Sequence, residues 1–167
     1  MNKNIVLIGF MGSGKSMIAD ALSGRLKRES VSIDRLIEHR EGQSIAWIFE
    51  KKGEVYFRAL EHTVIKEISN RRGIIIDCGG GVVLTQENLK LLKTHGIVFH
   101  LQASPEVIFK RIRSERHRPL LQAPDPLGTL KLLYQQRLPL YNQADYIIDA
   151  NDASIEGPVA EILQKIS

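Results

Sequence analysis

Short apolar runs alternate along this chain with longer amphipathic stretches. The apolar runs lie at residues 4–8, 30–33, 74–77, 97–101 and 146–149. Because residues 5–8 and 74–76 are continuously apolar rather than apolar at every second position, the pattern predicts strands that are covered on both faces, as in a parallel sheet. The stretches between them have helical spacing, so we expect right-handed βαβ units and a three-layer α/β sandwich with ligands at the carboxyl ends of the strands.

Local signals predict where two of the helices begin. Ser104, Pro105 and Glu106 combine an N-cap hydroxyl, a proline at the first helical position and an acid facing the positive helix end. Thr85 is expected to cap a helix over residues 86–94 in the same way. These signals support helices before and after the fourth predicted strand.

One segment, residues 115–128, breaks the alternation with its prolines and with Arg116 and Arg118. A long irregular segment in a compact domain is usually a functional lid or a disordered surface loop. The arginines favour a lid, which we place at about residues 113–126.

Length and composition exclude several classes of protein. The 167 residues are 43% hydrophobic, which predicts a single globular domain over residues 1–167. No apolar run approaches the ~20 residues of a membrane-spanning helix. Cys78 is the one cysteine, which leaves no internal disulfide and favours a cytoplasmic protein with a buried thiol. The net charge of +4 fits an anionic small substrate, and we expect no nucleic-acid or membrane partner.

Residues 9–16 match the pattern G-x-x-x-x-G-K-[ST], directly after the first predicted strand and at the start of a helix predicted over residues 15–27. Glycines allow backbone N–H groups to converge on phosphate oxygens, and the start of the helix adds its positive dipole end. Lys15 supplies a charge for the β- and γ-phosphates, and the Ser16 hydroxyl can enter the coordination shell of Mg²⁺. The alternative is a glycine-rich turn with an incidental lysine. We predict a nucleotide site formed by Gly12, Ser13, Gly14, Lys15, Ser16 and Met17.

This motif fits ATPases, GTPases and small-molecule kinases equally, so the acceptor must be inferred from other residues. Asp34 lies just past the second predicted strand, at the rim where ligands bind. Dispersed cations can converge on an anion, and glycines after a strand allow a ligand to approach the backbone closely. Taken singly, each arginine is more simply a solvated surface residue. The candidates are Arg58, Arg118, Arg137 and the glycines Gly79, Gly80 and Gly81.

Together these motifs resemble the shikimate kinase family over almost the whole chain. The shared elements, in order, are the phosphate loop, Asp34, Phe57-Arg58, Gly79-Gly80-Gly81, Arg118-Pro119-Leu120-Leu121 and Arg137-x-Pro139-Leu140-Tyr141. The resemblance implies a P-loop NTPase fold of the nucleoside-monophosphate-kinase type, with a five-stranded parallel sheet in the order 2-3-1-4-5. It also implies transfer of the ATP γ-phosphate to the 3-hydroxyl of shikimate, on the route to chorismate and the aromatic amino acids.

The resemblance further implies a role for each acceptor-side residue. Asp34 would hold the 3-hydroxyl and accept its proton. Arg58 and Arg137 would clamp the shikimate carboxylate, with help from the glycine amides. Arg118, carried by the lid, would reach the transferring phosphate, and Arg111 would lie near the adenine with the loop at residues 151–158.

The resemblance also implies how the pocket is built around these groups. Glu61, one helical turn after Arg58, would pair with it. The substrate region would cover about residues 34–61. Its apolar wall would be Ile45, Phe49, Phe57, Pro119 and Leu120, which we would otherwise interpret as core residues. Trp47, close to Ile45 and Phe49 in sequence, is interpreted as a residue of the core or the pocket wall.

The metal site departs from the family pattern. The family carries D-x-D after its second strand, where the first aspartate helps to hold Mg²⁺ through water, but this chain has Ser32-Ile33-Asp34. Asp77 ends an apolar strand, where other phosphate-loop enzymes place a Mg²⁺-ordering aspartate. We hypothesise that the carboxylate has moved from position 32 to position 77, so that the metal residues are Ser16 and Asp77. The alternative is that Asp77 only caps a turn and metal binding is weakened.

Two other functions remain open at this stage. One is a kinase of the same architecture that acts on another polyol acid such as gluconate, and the other is a nucleotide-binding regulatory module without turnover. Arg58, Arg137 and the three glycines argue against the gluconate-type kinase, whereas Ser32 keeps the regulatory module plausible. We expect a monomer, although the sequence does not fix the oligomeric state.

Overall fold

The structure is a computed structural model that describes residues 3–115 and 119–167. Its five strands are all parallel and lie in the order β2-β3-β1-β4-β5, which confirms the expected fold. Their bounds are β1 Asn4–Ile8, β2 Ser30–Ser32, β3 Ile75–Asp77, β4 Gly96–Gln102 and β5 Tyr146–Asp149.

Helices cover both faces of the sheet. They are α1 Lys15–Leu26, α2 Ile33–Glu41, α3 Ile45–Ile68, α4 Gln86–His95, α5 Pro105–Ile112, α6 Pro126–Tyr141 and α7 Glu156–Ile166, with short 3-10 turns at Val82–Leu84 and Pro119–Gln122. No helix in the described part of the chain is both long and apolar enough to cross a bilayer.

Alternate side chains of each central strand enter two separate cores. Val6 and Ile8 of β1 pack in one core, which α2 to α6 also line, whereas Ile5 and Leu7 pack against α1 and α7 in the other. All four side chains are buried. Continuous apolarity was therefore the correct signal for strands covered on both faces.

The predicted helix starts are confirmed with one exception. Ser104 Oγ accepts a hydrogen bond from the Val107 amide at 3.3 Å, as an N-cap does. Thr85 occupies the N-cap position of α4, but its side chain makes no capping bond, so that part of the prediction was wrong. Instead the Thr85 carbonyl accepts a hydrogen bond from the Asn88 amide at 3.0 Å, which closes the first turn through the backbone alone.

The strand β2 ends one residue earlier than predicted, because Ser32 caps the following helix. Its Oγ accepts from the Arg35 amide at 3.4 Å. Asp34 is consequently a residue of the first turn of α2, still at the carboxyl edge of the sheet.

The irregular segment is shorter than the predicted 115–128. α6 already begins at Pro126, where the Asp125 carboxylate accepts a hydrogen bond from the Gly128 amide at 3.0 Å. Arg116 and Arg118 lie outside the described residues, so the lid remains a prediction.

Candidate active site

A cleft of about 1190 Å³ opens at the carboxyl ends of β1, β2 and β3. Parallel strands bring the loops that follow them to one edge of the sheet, which is why residues distant in sequence meet there. Its lining includes Gly12, Gly14, Lys15, Ser16, Met17, Asp34, Arg58, Glu61, Asp77, Gly79, Gly80, Gly81 and Arg137. The structure thus brings together residues predicted for the nucleotide, metal and acceptor subsites.

The phosphate loop has the backbone that its glycines predict. Gly12 and Gly14 adopt left-handed φ values of 74° and 93°. A Cβ on Gly12 would lie 2.7 Å from Cγ2 of Ile112, so any larger residue would push the loop away from α5. Buried Lys15 donates from Nζ to the carbonyls of Gly9 at 2.9 Å and Phe10 at 3.1 Å, which holds its charge over the loop.

Ser16 and Asp77 form a hydrogen-bonded pair beside this loop. Ser16 Oγ donates to Asp77 Oδ2 at 2.6 Å. Burial raises the pKa of Asp77, while the hydrogen bond from Ser16 and the charge of Lys15 act in the opposite direction. A hydroxyl and a carboxylate are the hard oxygen ligands that Mg²⁺ takes, with water and phosphate oxygens supplying the rest, so this donor set fits the metal.

The sheet register places positions 32 and 77 side by side. Ser32 of β2 and Asp77 of β3 are direct partners in the parallel ladder. Neighbouring strands lie about 4.8 Å apart, so a carboxylate on either residue reaches the same region. Of this pair, Ser32 caps α2 through its hydroxyl, and Asp77 carries the carboxylate that accepts from Ser16.

Asp34 packs against the glycines that follow β3. A Cβ on Gly79 would lie 2.7 Å from Oδ1 of Asp34, so the absence of a side chain at position 79 makes room for this carboxyl group. Burial raises the pKa of Asp34, and the charge of Lys15 is the main opposing effect. The group is therefore a stronger base than an exposed aspartate, held close to the phosphate loop.

Arg58 is held from two sides. Its Nη1 donates to Oε1 of buried Glu61 at 2.9 Å, as predicted, and its Nε donates to Glu54 at 3.3 Å. Cζ of Arg58 lies 5.1 Å from the centroid of the Phe57 ring. The guanidinium also packs against Gly81, where an added Cβ would lie only 2.6 Å from Cζ of Arg58. Its geometry is therefore fixed before any ligand binds.

Arg137 reaches the same part of the cleft from α6. Its guanidinium lies 5.7 Å from the Phe10 ring, and its buried Nε has no hydrogen-bond partner among the described residues. Burial raises the pKa of Glu61, and the charges of both Arg58 and Arg137 oppose that shift, which indicates that both cations face this carboxyl group. Arg58 and Arg137 converge, whereas Arg118 lies outside the described residues.

Arg111 connects the phosphate loop to the loop after β5. It donates to the Gly12 carbonyl at 3.3 Å and to the carbonyls of Ala150 at 2.7 Å, Asn151 at 3.2 Å and Asp152 at 2.8 Å. This arrangement puts Arg111 beside the loop expected to flank the adenine, and the adenine contact itself remains a prediction.

Some residues around the cleft differ from what the sequence indicated. The apolar side chains Ile45, Phe49, Phe57 and Leu120 line it as expected, and the side chain of Pro119 lies outside the described part. Trp47 was expected in the core or the pocket wall, but it is 36% exposed and does not line the cleft, because its helix turns that face to solvent.

Sequence reasoning missed two residues of the site. Glu54 stands four residues before Arg58, and this i,i+4 spacing was a usable signal for the ion pair. Tyr141 was noted only as part of a motif, yet its hydroxyl donates a hydrogen bond to the Gly80 carbonyl. Nothing in the local sequence indicates that contact, because 61 residues separate the two.

Comparison with known proteins places this geometry in context. A family model described as shikimate kinase matches residues 11–167. A shikimate kinase of Thermodesulfovibrio yellowstonii is 43% identical over 98% of this chain and 94% of its own length. The solved structure of shikimate kinase from Acinetobacter baumannii in complex with shikimate superimposes with a TM-score of 0.93 at 38% identity, covering 99% of this chain and 93% of that one. A gluconokinase from Sinorhizobium meliloti shares only the fold, with a TM-score of 0.55 at 16% identity over 99% of this chain and 89% of its own.

Proposed function

The chain belongs to the shikimate kinase family, enzymes that transfer the γ-phosphate of ATP to shikimate, and from this premise we propose how its own residues carry the reaction. The observation that carries the proposal is the single cleft in which Asp34, Arg58 and Arg137 face the phosphate loop. It holds a base, an anion clamp and a nucleotide site within reach of one small substrate.

Arg58 and Arg137 bind the shikimate carboxylate. Guanidinium groups recognise carboxylates through paired N–H donors, and both groups line the cleft. Glu61 holds Arg58 in place through the 2.9 Å ion pair. The amides of Gly79, Gly80 and Gly81 line the same region and allow the ring to approach the backbone.

Asp34 aligns the 3-hydroxyl and accepts its proton. The hydroxyl oxygen attacks the γ-phosphorus, the bond to the β–γ bridging oxygen breaks, and ADP leaves as shikimate 3-phosphate forms. Burial raises the pKa of Asp34 towards the range in which proton acceptance is effective, and Lys15 nearby favours the charged form before transfer. Lys15 also stabilises the charge that develops on the transferring group.

Ser16 and Asp77 hold Mg²⁺, which when bound neutralises charge on the β- and γ-phosphates. The 2.6 Å hydrogen bond between them supports this assignment, as does the register that pairs Asp77 with Ser32. We expect Asp77→Asn to raise the Mg²⁺ concentration needed for half-maximal turnover and to weaken Mg²⁺-dependent ATP binding in calorimetry. Adding Ser32→Asp should restore both, and unchanged Mg²⁺ dependence in Asp77→Asn would contradict the relocation.

The remaining nucleotide contacts come from the phosphate loop and its surroundings. We assign Gly12, Ser13, Gly14 and Met17 to the phosphates. All but the buried Ser13 line the cleft, and Arg111 holds the loop after β5. Arg118 of the lid, which lies outside the described residues, is assigned to the transferring phosphate. Lid closure would exclude water and so suppress hydrolysis of ATP.

A coupled ADP-release assay tests the function directly. Release should require shikimate and should not be stimulated by gluconate. Arg58→Ala and Arg137→Ala should raise the KM for shikimate far more than the KM for ATP. Stimulation by gluconate alone would favour the related polyol-acid kinase, and intact ATP binding without any turnover would favour a regulatory module.

The proposal extends to the setting in which the enzyme works. We assign it to the cytoplasm, as a monomer that requires no nucleic-acid or membrane partner. Cys78 is the one cysteine of the sequence, so no internal disulfide points to an oxidising compartment. Sedimentation of the purified protein with and without both substrates tests the monomeric state.

A further inference from the structure

Tyr141 occupies an unusual position for a residue with a polar group. It ends α6 with 0% exposure, and its ring stacks on that of His100 with centroids 5.1 Å apart. A phenol buried this deeply needs a partner for its hydroxyl. That hydroxyl donates to the Gly80 carbonyl, and Tyr141 itself does not line the cleft.

Holding the Gly80 carbonyl also orients the next amide. The peptide bonds here are trans, and in a trans peptide the C=O of one residue and the N–H of the next point in opposite directions. The N–H of Gly81 therefore points away from Tyr141. Within residues 3–115 and 119–167 that N–H has no acceptor, and Gly81 lines the cleft next to Arg58.

The same hydroxyl contacts the second arginine of the clamp. Arg137 lies one helical turn before Tyr141, and its guanidinium acts on the Tyr141 hydroxyl. Burial raises the pKa of Tyr141 to about 12, with Arg137 acting in the opposite direction, so the hydroxyl keeps its proton at neutral pH. One O–H group thus donates to the glycine segment and lies within the influence of the Arg137 guanidinium.

We propose that Tyr141 is a positioning residue for the acceptor: its hydroxyl sets the Gly81 amide and the Arg137 guanidinium at a fixed spacing, ready for the substrate carboxylate. This inference rests on the proposed function, because it assumes that Arg137 and the glycine amides bind that carboxylate. Tyr141 itself touches no reacting atom and acts only through these two groups.

The variant Tyr141→Phe removes the hydroxyl and keeps the ring against His100. We expect the KM and the calorimetric Kd for shikimate to rise about 10-fold, the scale of one charge-assisted hydrogen bond, with kcat and the KM for ATP within about twofold of wild type. The matched control is Tyr134→Phe, a buried tyrosine on the same helix whose hydroxyl interacts with Gln102 instead. The control should leave the KM for shikimate unchanged.

A double-mutant cycle separates positioning from a general loss of packing. If the hydroxyl acts through Arg137, then Tyr141→Phe should weaken shikimate binding much less in an Arg137→Ala background than in wild type. The proposal would be overturned if the two substitutions weakened shikimate binding by factors that simply multiply in the double variant. It would also be overturned if Tyr141→Phe left the KM for shikimate unchanged, or raised the KM for shikimate and for ATP equally.

A measurement on the wild-type protein keeps the proposal testable if Tyr141→Phe does not fold. The Gly81 amide should become strongly protected from hydrogen exchange when shikimate binds, and absence of protection would overturn the proposal. Failure of the proposed function would look different from failure of the Tyr141 proposal, because the wild-type enzyme would then show no ADP release stimulated by shikimate.

Discussion

The substitution Gly81→Ala tests the acceptor clamp by moving Arg58 without altering it. Gly81 has φ −96° and ψ 7°, a conformation open to alanine, so the change adds a methyl group without backbone strain. That methyl carbon would lie 2.6 Å from Cζ of Arg58, whereas ordinary contact begins at 3.4 Å. The guanidinium must therefore retreat by at least about 0.8 Å from its position in the clamp.

The size of the effect follows from the contacts that this shift disturbs. A retreat on that scale weakens the 2.9 Å bond to Glu61 and misplaces the donors meant for the substrate carboxylate. A hydrogen bond to a charged group is worth about 1.5–3 kcal/mol, so kcat/KM for shikimate should fall roughly 10- to 100-fold. The KM for ATP should change little, because the phosphate loop is not displaced.

The assay is coupled ADP release with shikimate and ATP varied separately, together with thermal unfolding of each variant. Gly24→Ala is the matched control, since Gly24 is exposed on α1 and a Cβ there meets nothing within 4 Å. It should leave the kinetics unchanged and stabilise the fold by about 0.5–1 kcal/mol. A Gly81→Ala enzyme that keeps the wild-type KM for shikimate would refute the assignment of Arg58 to the clamp.

Three further predictions concern stability and the nucleotide. Burial lowers the pKa of His100 from 6.5 to about 4, so below pH 6.5 the unfolded chain binds a proton that the folded chain does not. The contribution of His100 to the free energy of unfolding should therefore fall as pH drops from 6.5 to 4, by roughly 2 kcal/mol after screening, and urea titrations should show it as the difference between wild type and His100→Phe. Ser104→Ala should lower the free energy of unfolding by about 1 kcal/mol in the same titrations. Thr85→Ala should lower it clearly less, because the Thr85 side chain makes no capping bond, and equal decreases would contradict the cap assignment. Gly12→Ala should weaken ATP binding in calorimetry and lower the melting temperature. The reason is that Gly12 has a φ of 74° and that an added Cβ would lie 2.7 Å from Ile112. An unchanged affinity for ATP would count against the loop geometry.

Local sequence determined the elements of this fold. The strand at Asn4–Ile8 and the helix start at Ser104 were readable because hydrophobic periodicity and capping act over a few residues. The phosphate loop was readable for the same reason, since all its parts lie in one segment of eight residues, 9–16. The order of the strands came from resemblance to a family, because periodicity alone says which segments are strands but not which of them are neighbours.

Only the tertiary structure decided how the site is assembled. Asp77 could be suspected from its place at a strand end, but its bond to Ser16 across 61 residues depends on the register between β1 and β3. The contact of Arg58 with Gly81 and the bond from Tyr141 to Gly80 likewise depend on how α3 and α6 pack against the glycine segment. The physical reason is that backbone propensities act within a helical turn or a strand, whereas distances between side chains on separate elements are set by how the whole core packs.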